Sequence, residues 1–271
     1  MKTVIKNKKA QDILASFREI GAYRELLWTL AYKDIRVRYA QTVIGFGWAI
    51  IEPLLSAVIL SLIFNKVAKT STLGIQGILF SMTGMICWNY FSNVVSQGNT
   101  SLIMSQNMIK KIYFPRIIIP LSKVIAALPD LLITIIFTAI LFLVFPSPFN
   151  IGMIWLPAFF LLTILTSAAV GVWFSAMNIR FRDFVHIVPF IIRLGMFATP
   201  IAYSYTSVPQ DYRWILFLNP MSGIIEGIRW SLFGMPFPLE YFLISIAMIL
   251  FLLIGAWIFF FRMEKSLADI L

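Results

Sequence analysis

YRELLWTLAYKDIRVRYAQTVIGFGWAIIEPLLSAVILSLIF, residues 23–64, decides how this chain is to be read. Its two halves obey different rules. Between Ile44 and Phe64 the only charge is Glu52, and a run of about 20 apolar residues is what a bilayer core asks of a helix. Between Tyr23 and Tyr39, lysines and arginines sit among aromatics at helical spacing. At about 3.6 residues per turn, Trp28, Tyr32, Ile35 and Tyr39 form one stripe. Tyr23, Leu26, Leu30 and Val37 form another, with Glu25, Thr29, Lys33 and Arg36 between the two. One stripe suits lipid headgroups and the other protein, so 23–43 reads as an amphipathic interface helix feeding a transmembrane one. A soluble amphipathic helix would account for the first half alone, but not for the apolar run behind it.

Working outward, composition agrees. Of 271 residues, 60% are hydrophobic and 13% charged, against about 25% charged in soluble domains. A net charge of +10 would suggest nucleic acid in a soluble chain. In a membrane protein the placement of Lys and Arg matters more, because they mark cytoplasmic loops, and no nucleic-acid partner is expected. The single cysteine, Cys87, lies in an apolar run and excludes an internal disulfide. Residues 1–22 are basic without the apolar core of a signal peptide, and read as a cytoplasmic N-terminal segment.

Six spans are expected, at about 44–65, 76–97, 117–145, 151–177, 184–203 and 239–261, within a transmembrane domain of 44–261. A cytoplasmic tail, 262–271, would follow. With both termini inside, inner segments carry seventeen Lys and Arg, outer loops carry Lys66, Lys69, Arg213 and Arg229, and Arg193 stays within a span. That bias sets the orientation. Pro115, Pro120 and Pro129 predict an irregular start to the third span, since proline lacks an N–H and kinks a helix.

Two connections are too long to be turns. The inner one, NTSLIMSQNMIKKIYFP (99–115), spaces Met104, Met108 and Ile112 four apart and predicts a short helix with Lys110 and Lys111 in its last turn, stopped by Pro115. Greasy and basic residues on such a helix suit docking to another protein, or rest on lipid. The outer one, 204–238, predicts two helices too short to span. In the second, Asn219 caps, Pro220 takes the first turn and Gly234 closes about 13 residues. Such a pair reads as re-entrant, and irregular backbone at membrane depth must meet protein or line a wet cavity. A plain outer cap lying on the bilayer is the rival reading. Gly223 and Gly227, four apart in that helix, would permit close backbone approach.

No G-x-x-x-x-G-K-[ST] phosphate cradle occurs, nor a metal-ligand spacing, a nucleophile elbow or an HExxH. The lone His186 reads as an interfacial hydrogen-bonding residue. Glu52, Asp130 and Arg193 fall within expected spans, where ionisable groups line cavities or pair across helices. The aromatics, Phe46 and Trp48 among them, could offer flat faces to sugar rings, though aromatic belts at membrane interfaces explain most of them.

RELLWTLAYKDIRVRYAQTVIGFGWAIIEPL, NMIKKIYFPRIIIPLSKV, NIRFRDF and VPQDYRWILFLNPMSGIIEGIRWSLFG stand in this order along the chain. In that order they resemble the permease subunits of type-2 ABC exporters of O-antigen, teichoic acid and capsule. The likeness runs from about residue 23 to the closing FRMEKSLADIL. Glu52 departs from it, standing where an uncharged polar residue is more usual.

The resemblance implies an all-α, six-span permease of the bacterial cytoplasmic membrane, working as a homodimer with two copies of a separate ATPase. ATP and Mg would sit on that partner and no cofactor on this chain. It implies a coupling element of Asn107, Lys110, Lys111, Phe114, Pro115 and Arg116, with Arg180 and Asp183 in a second inner contact. The first and fifth spans would line the path, with Phe46, Trp48, Glu52 and Arg193 as pore candidates. The 205–234 pair, with Asn219, Pro220, Glu226 and Arg229, would be the outer gate. The expected cargo is an undecaprenyl-diphosphate-linked polysaccharide, most simply O-antigen. Its diphosphate would meet Arg36 and Arg38, beside Trp28 and Tyr39, because guanidinium forks match phosphate; a basic edge facing lipid is the alternative. A type-2 exporter of drugs or lipids and a membrane-embedded transferase remain the competing readings.

Overall fold

The helix expected at the interface comes first among the described residues of the computed structural model, which describes residues 19–40, 45–63, 77–145 and 150–270. This helix, α1 (Arg24–Tyr39), lays Tyr23, Leu26, Leu27 and Leu30 on a core built around Phe114 and Ile117–Ile119. Trp28 and Tyr32 point away from the protein. Two faces of different company were expected, and they are present. Val37 and Tyr39 are corrections: Val37 is 70% exposed rather than on the protein-facing stripe, and Tyr39, expected on the stripe of Trp28 and Tyr32, turns inward to Asp130. The buried face runs through Leu27, Ala31, Asp34 and Arg38, and Val37 falls on its edge. Two charges face inward there because their counter-ions do.

After a 3-10 turn, Gly45–Gly47, come α2 (Trp48–Ser61), α3 (Gly77–Met104) and the single turn α4 (Gln106–Ile109). A helix in two pieces follows, α5 (Ile118–Ala126) and α6 (Leu128–Val144). Next are α7 (Leu156–Arg180), entered through a 3-10 turn at Ile151–Trp155, and α8 (Phe184–Ala198). Short α9 (Arg213–Phe217), α10 (Pro220–Phe233) and long α11 (Leu239–Ile270) complete the order. No strand occurs among the described residues.

Among the described residues, three stretches are long and apolar enough to cross a bilayer: Ile118–Val144, Ile151–Arg180 and Leu239–Glu264. They sit where the third, fourth and sixth spans were expected. Shorter apolar helices, α2 and α8, hold the first and fifth positions. The expected fifth span, 184–203, loses its last turn, because α8 ends at Ala198 and Thr199 is extended. In the second position α3 is 28 residues, about 42 Å. It carries Asn89, Asn93, Gln97 and Asn99, and packs most heavily of all against α7. The third span breaks at Ala127, just before Pro129, as its prolines foretold.

Two boundaries are corrected. Residues 99–104 belong to α3 rather than to a separate inner helix; only 106–109 follow as one turn, and Lys110 and Lys111 lie beyond it. Ser105, with φ −99°, leaves helical geometry and makes the break. The helix expected to end near 261 is longer, since α11 runs unbroken to Ile270, through residues expected as a cytoplasmic tail.

Residues 199–234 form α9 and α10 as a pair folded back onto the bundle. Asn219 accepts from the Met221 N–H at 3.1 Å, Pro220 begins α10, and Gly234 closes it at φ 66°. At 14 residues α10 is about 21 Å long, so it is too short to span. It is nonetheless buried almost throughout, between α3, α7 and α11. Gly227 makes that possible: a Cβ there would come within 2.1 Å of the Phe159 ring. Phe159 cannot step aside, being wedged among Trp230, Phe237 and Phe242. Gly227→Ala should therefore lower stability by about 1–3 kcal/mol, the usual cost of overpacking. The check is the thermal midpoint of the purified protein, with Gly21→Ala, which meets nothing within 4 Å, as the unaffected control.

Candidate functional site

Three groupings collect the polar chemistry of this bundle, and the first is a cavity of about 540 Å³ between α1, α2, α3, α6 and α8. Trp48 and Glu52, one turn apart on α2, form one wall. Asn89, Ser92, Asn93 and Ser96 of α3 form another, because positions i, i+3, i+4 and i+7 share a helix face. Asp130 of α6 lies at its edge. Its carboxylate accepts from Arg38 and from the Tyr39 hydroxyl, both at the end of α1, and from Asn93 Nδ2 at 3.3 Å. Asn93 in turn accepts from Gln97. Thr134 donates to the Asp130 carbonyl at 2.7 Å and to the Ala49 carbonyl at 3.1 Å, which ties α2 to α6.

A second pair, Lys123 Nζ to Asp34 Oδ2 at 2.5 Å, joins α1 to α5. The two pairs run in opposite senses: α1 gives an acid then a base, and the 118–144 helix gives a base then an acid. Together they specify how α1 sits on its neighbour. Among sequence-predicted residues, the cavity thus brings together Arg38, Tyr39, Trp48 and Glu52. Arg36 and Trp28 are exposed on the far side of α1. Arg193 is exposed on α8 and has no ion pair among the described residues. The side chain of Phe46 lies outside the described residues, as do Lys66 and Lys69.

Residues 104–116 make the second grouping. Asn107, Lys110, Lys111 and Ile112 are exposed, and Met104 and Tyr113 stand more than four-fifths exposed. Phe114 is the correction within the expected coupling set: it is buried in the core with Ile117 and Phe260 and holds the segment down rather than offering a contact. Arg116 reaches the end of α11, its amide 3.1 Å from Glu264 Oε1 and its Nη1 3.4 Å from the Glu264 carbonyl. Buried Asn178 donates to the Asn99 carbonyl at 2.8 Å, and Asn99 donates to the Phe184 carbonyl at 2.9 Å. The root of the exposed segment is thereby fastened to the 178–184 turn, where Arg180 stacks over Phe181 and Asp183 begins α8.

Arg229 centres the third grouping. Its side chain is wholly buried. Nη1 donates to Glu226 Oε1 at 3.0 Å, to the Pro200 carbonyl at 2.7 Å and to the Tyr203 carbonyl at 3.2 Å. Nη2 donates to the carbonyls of Phe80 and Ile201. The guanidinium lies 3.6 Å from the Phe80 ring centroid, a desolvated cation–π contact. Glu226 also accepts from the Tyr205 amide at 3.3 Å, and Asn219 donates to Thr199 Oγ1 at 2.7 Å. Glu226 and Arg229 are therefore internal ties between α10, the 199–205 turn and the start of α3, with no surface toward a passing ligand in this conformation.

Sequence reasoning placed Asp130 within a span but found it no partner, and left the Asn and Ser face of α3 unremarked. The second was legible: Asn89, Ser92, Asn93 and Ser96 make a polar stripe at helical period. The first was not, because Arg38 and Asp130 lie 92 residues apart.

With these geometries in place, comparison identifies the class. Residues 25–233 match the family model described as ABC-2 type transporter, and the chain belongs to that family of transporter membrane components. Among relatives, an O-antigen export system permease protein RfbA of Klebsiella pneumoniae is 32% identical over 229 residues, 84% of this chain and 86% of that protein. The polysialic acid transport protein KpsM of Escherichia coli is 25% identical, over 74% of this chain and 78% of its own length. The capsule polysaccharide export inner-membrane protein CtrC of Neisseria meningitidis is 24% identical over 86% of each.

Removing one half of the buried pair should be severe. Arg229→Leu leaves Glu226 without its counter-ion and orphans the carbonyls of Phe80, Pro200, Ile201 and Tyr203, and is expected to cost about 3–5 kcal/mol; adding Glu226→Gln removes the stranded charge but not the orphaned carbonyls and recovers only a small part. Denaturant unfolding of the purified chain distinguishes the two variants.

Proposed function

We propose that this chain is the permease of an ATP-driven exporter that moves an undecaprenyl-diphosphate-linked polysaccharide, of O-antigen type, across a bacterial cytoplasmic membrane. The observation that carries the reading is the family match combined with similarity to O-antigen export permeases over 84% of the chain. Capsule export is the second reading, favoured by the likeness to KpsM and CtrC.

In this proposal six helical passes, with α2 and α8 as the first and fifth, leave both termini cytoplasmic. Two copies of the chain pair around the path, and two copies of a cytoplasmic ATPase supply the work with ATP and Mg. Glu52 and Arg193 support the placement of α2 and α8. Both are exposed charges on helices otherwise fit for lipid, and at bilayer depth such groups need water or a partner. Residues 104–113 receive the ATPase. Their exposed Met104, Lys110, Lys111 and Tyr113 offer it both apolar area and charge, and the Asn99–Asn178–Phe184 ties pass its push to α3, α7 and α8 as a rigid-body displacement. Arg36, beside Trp28, is the exposed guanidinium that meets the diphosphate. The α9–α10 pair, capped by Asn219 and Pro220, closes the outer end.

Two measurements test the reading. Lys110→Glu with Lys111→Glu should reduce export and ATPase co-purification at least about tenfold while the protein still inserts, the direction set by reversing two charges at a docking surface; unchanged export refutes the docking role. In a Cys87→Ser background, a cysteine at Tyr113 should react with a membrane-impermeant thiol reagent only from the cytoplasmic side, and one at Asp211 only from the opposite side. Labelling of both from one side would overturn the orientation.

A further inference from the structure

The cavity beside Asp130 has chemistry that the export reading has not yet used. Resting on that reading, we infer that it is a saccharide subsite, one that holds a sugar unit of the cargo and not its diphosphate.

Its size falls within the range of about 300–1,000 Å³ usual for small-molecule sites. Charge decides against the diphosphate. Two carboxylates, Glu52 and Asp130, border the space with a single guanidinium, Arg38. That guanidinium is already engaged by Asp130. An incoming diphosphate would meet net negative charge with no free cation among the described residues that line the cavity. A metal ion fares no better. Asp130 is taken up by Arg38, Tyr39 and Asn93, and no group of three or more metal-ligating side chains occurs among the described residues.

A neutral polyol fits each wall. Glu52 and the Asn89 amide have no side-chain partner among the described residues, so an acceptor-only carboxylate and an amide that both donates and accepts face the cavity together. Hydroxyls that donate and accept in turn satisfy both. Trp48, half-exposed and one turn from Glu52, presents an apolar ring face on the same side of α2, which the C–H face of a pyranose can cover. Asp130 serves by holding Asn93 and Arg38 in place, and so acts as a positioning residue.

The inference also explains why α3 remains polar where it does. Asn89, Asn93 and their serine neighbours lie on the face turned to the cavity, while Tyr90 on the adjacent face spends its hydroxyl on the Val124 carbonyl at 2.9 Å. A stripe needed only for helix packing has no reason to leave Asn89 without a partner.

The test uses the whole complex of permease and ATPase in lipid nanodiscs. Two probes are titrated: undecaprenyl diphosphate carrying the host's own glycan, and undecaprenyl diphosphate alone. The readout is the concentration giving half-maximal stimulation of ATP hydrolysis. Asn89→Leu and Trp48→Leu should each raise that concentration about tenfold for the glycan-bearing lipid, as expected when a polar or stacking contact is lost. For the sugar-free lipid the shift should stay within about twofold. Trp48 lies outside the core clusters, so its variant reports even where Asn89→Leu does not assemble. Equal weakening for both lipids, or no change for either, overturns the subsite and leaves the export reading standing. If neither lipid stimulates the unaltered complex, the export reading falls and the subsite falls with it.

Discussion

Carbonyl oxygens buried where a chain turns between helices need donors, and Arg229 is how this protein answers that constraint. Where α8 ends at Ala198, the chain turns back through Thr199–Tyr203, exposing carbonyl oxygens in a region with no helical neighbour to take them. One guanidinium collects Pro200, Ile201 and Tyr203 from that turn and Phe80 from the start of α3, with Glu226 balancing its charge. Arginine alone has the fork of five donors this requires. The α9–α10 pair can then be buried, since its irregular backbone meets protein. The packing of α10 against α7 and α11 follows from that closure, and the aromatic cluster around Phe159 fills the space it leaves.

At the opposite end the arrangement depends on charge pairs rather than on one buried cation. Asp34–Lys123 and Arg38–Asp130 link α1 to the broken third helix, and the hydrophobic face of α1 lies over Phe114 and its neighbours. Because the pairs are only partly buried, each contributes modestly and is screened by salt. That suits an element which must sit in a defined place yet be able to move. Amide ties at Asn99 and Asn178, by contrast, are fully enclosed and make the base of the 104–116 segment rigid. The same end of the molecule therefore combines a compliant contact with a stiff one.

Agreement between sequence and structure is closest where a property is local. The cap of α10 by Asn219, its start at Pro220 and its stop at Gly234 depend on neighbours two to four residues away, and all were readable. The break before Pro129 and the positions of the three long apolar stretches were readable for the same reason. Agreement fails where a residue's meaning depends on distant company. The family resemblance put Phe114 in the coupling set, yet the core beneath it draws it inward. Val37 had the right spacing for the buried face and lies at its edge.

From its residues alone this chain established a helical membrane protein, the ends of α10, and a first helix with two unlike faces. Those properties follow from hydrophobic run length, capping chemistry and a 3.6-residue period, each measured along the chain. Only the folded bundle decided that Asp130 belongs to Arg38, that Arg229 closes the turn behind α8, and that a polar stripe on α3 borders a cavity. A buried charge needs water or a partner, and Asp130 and Arg229 draw most of theirs from segments tens of residues away, brought together by helix packing that no local pattern encodes.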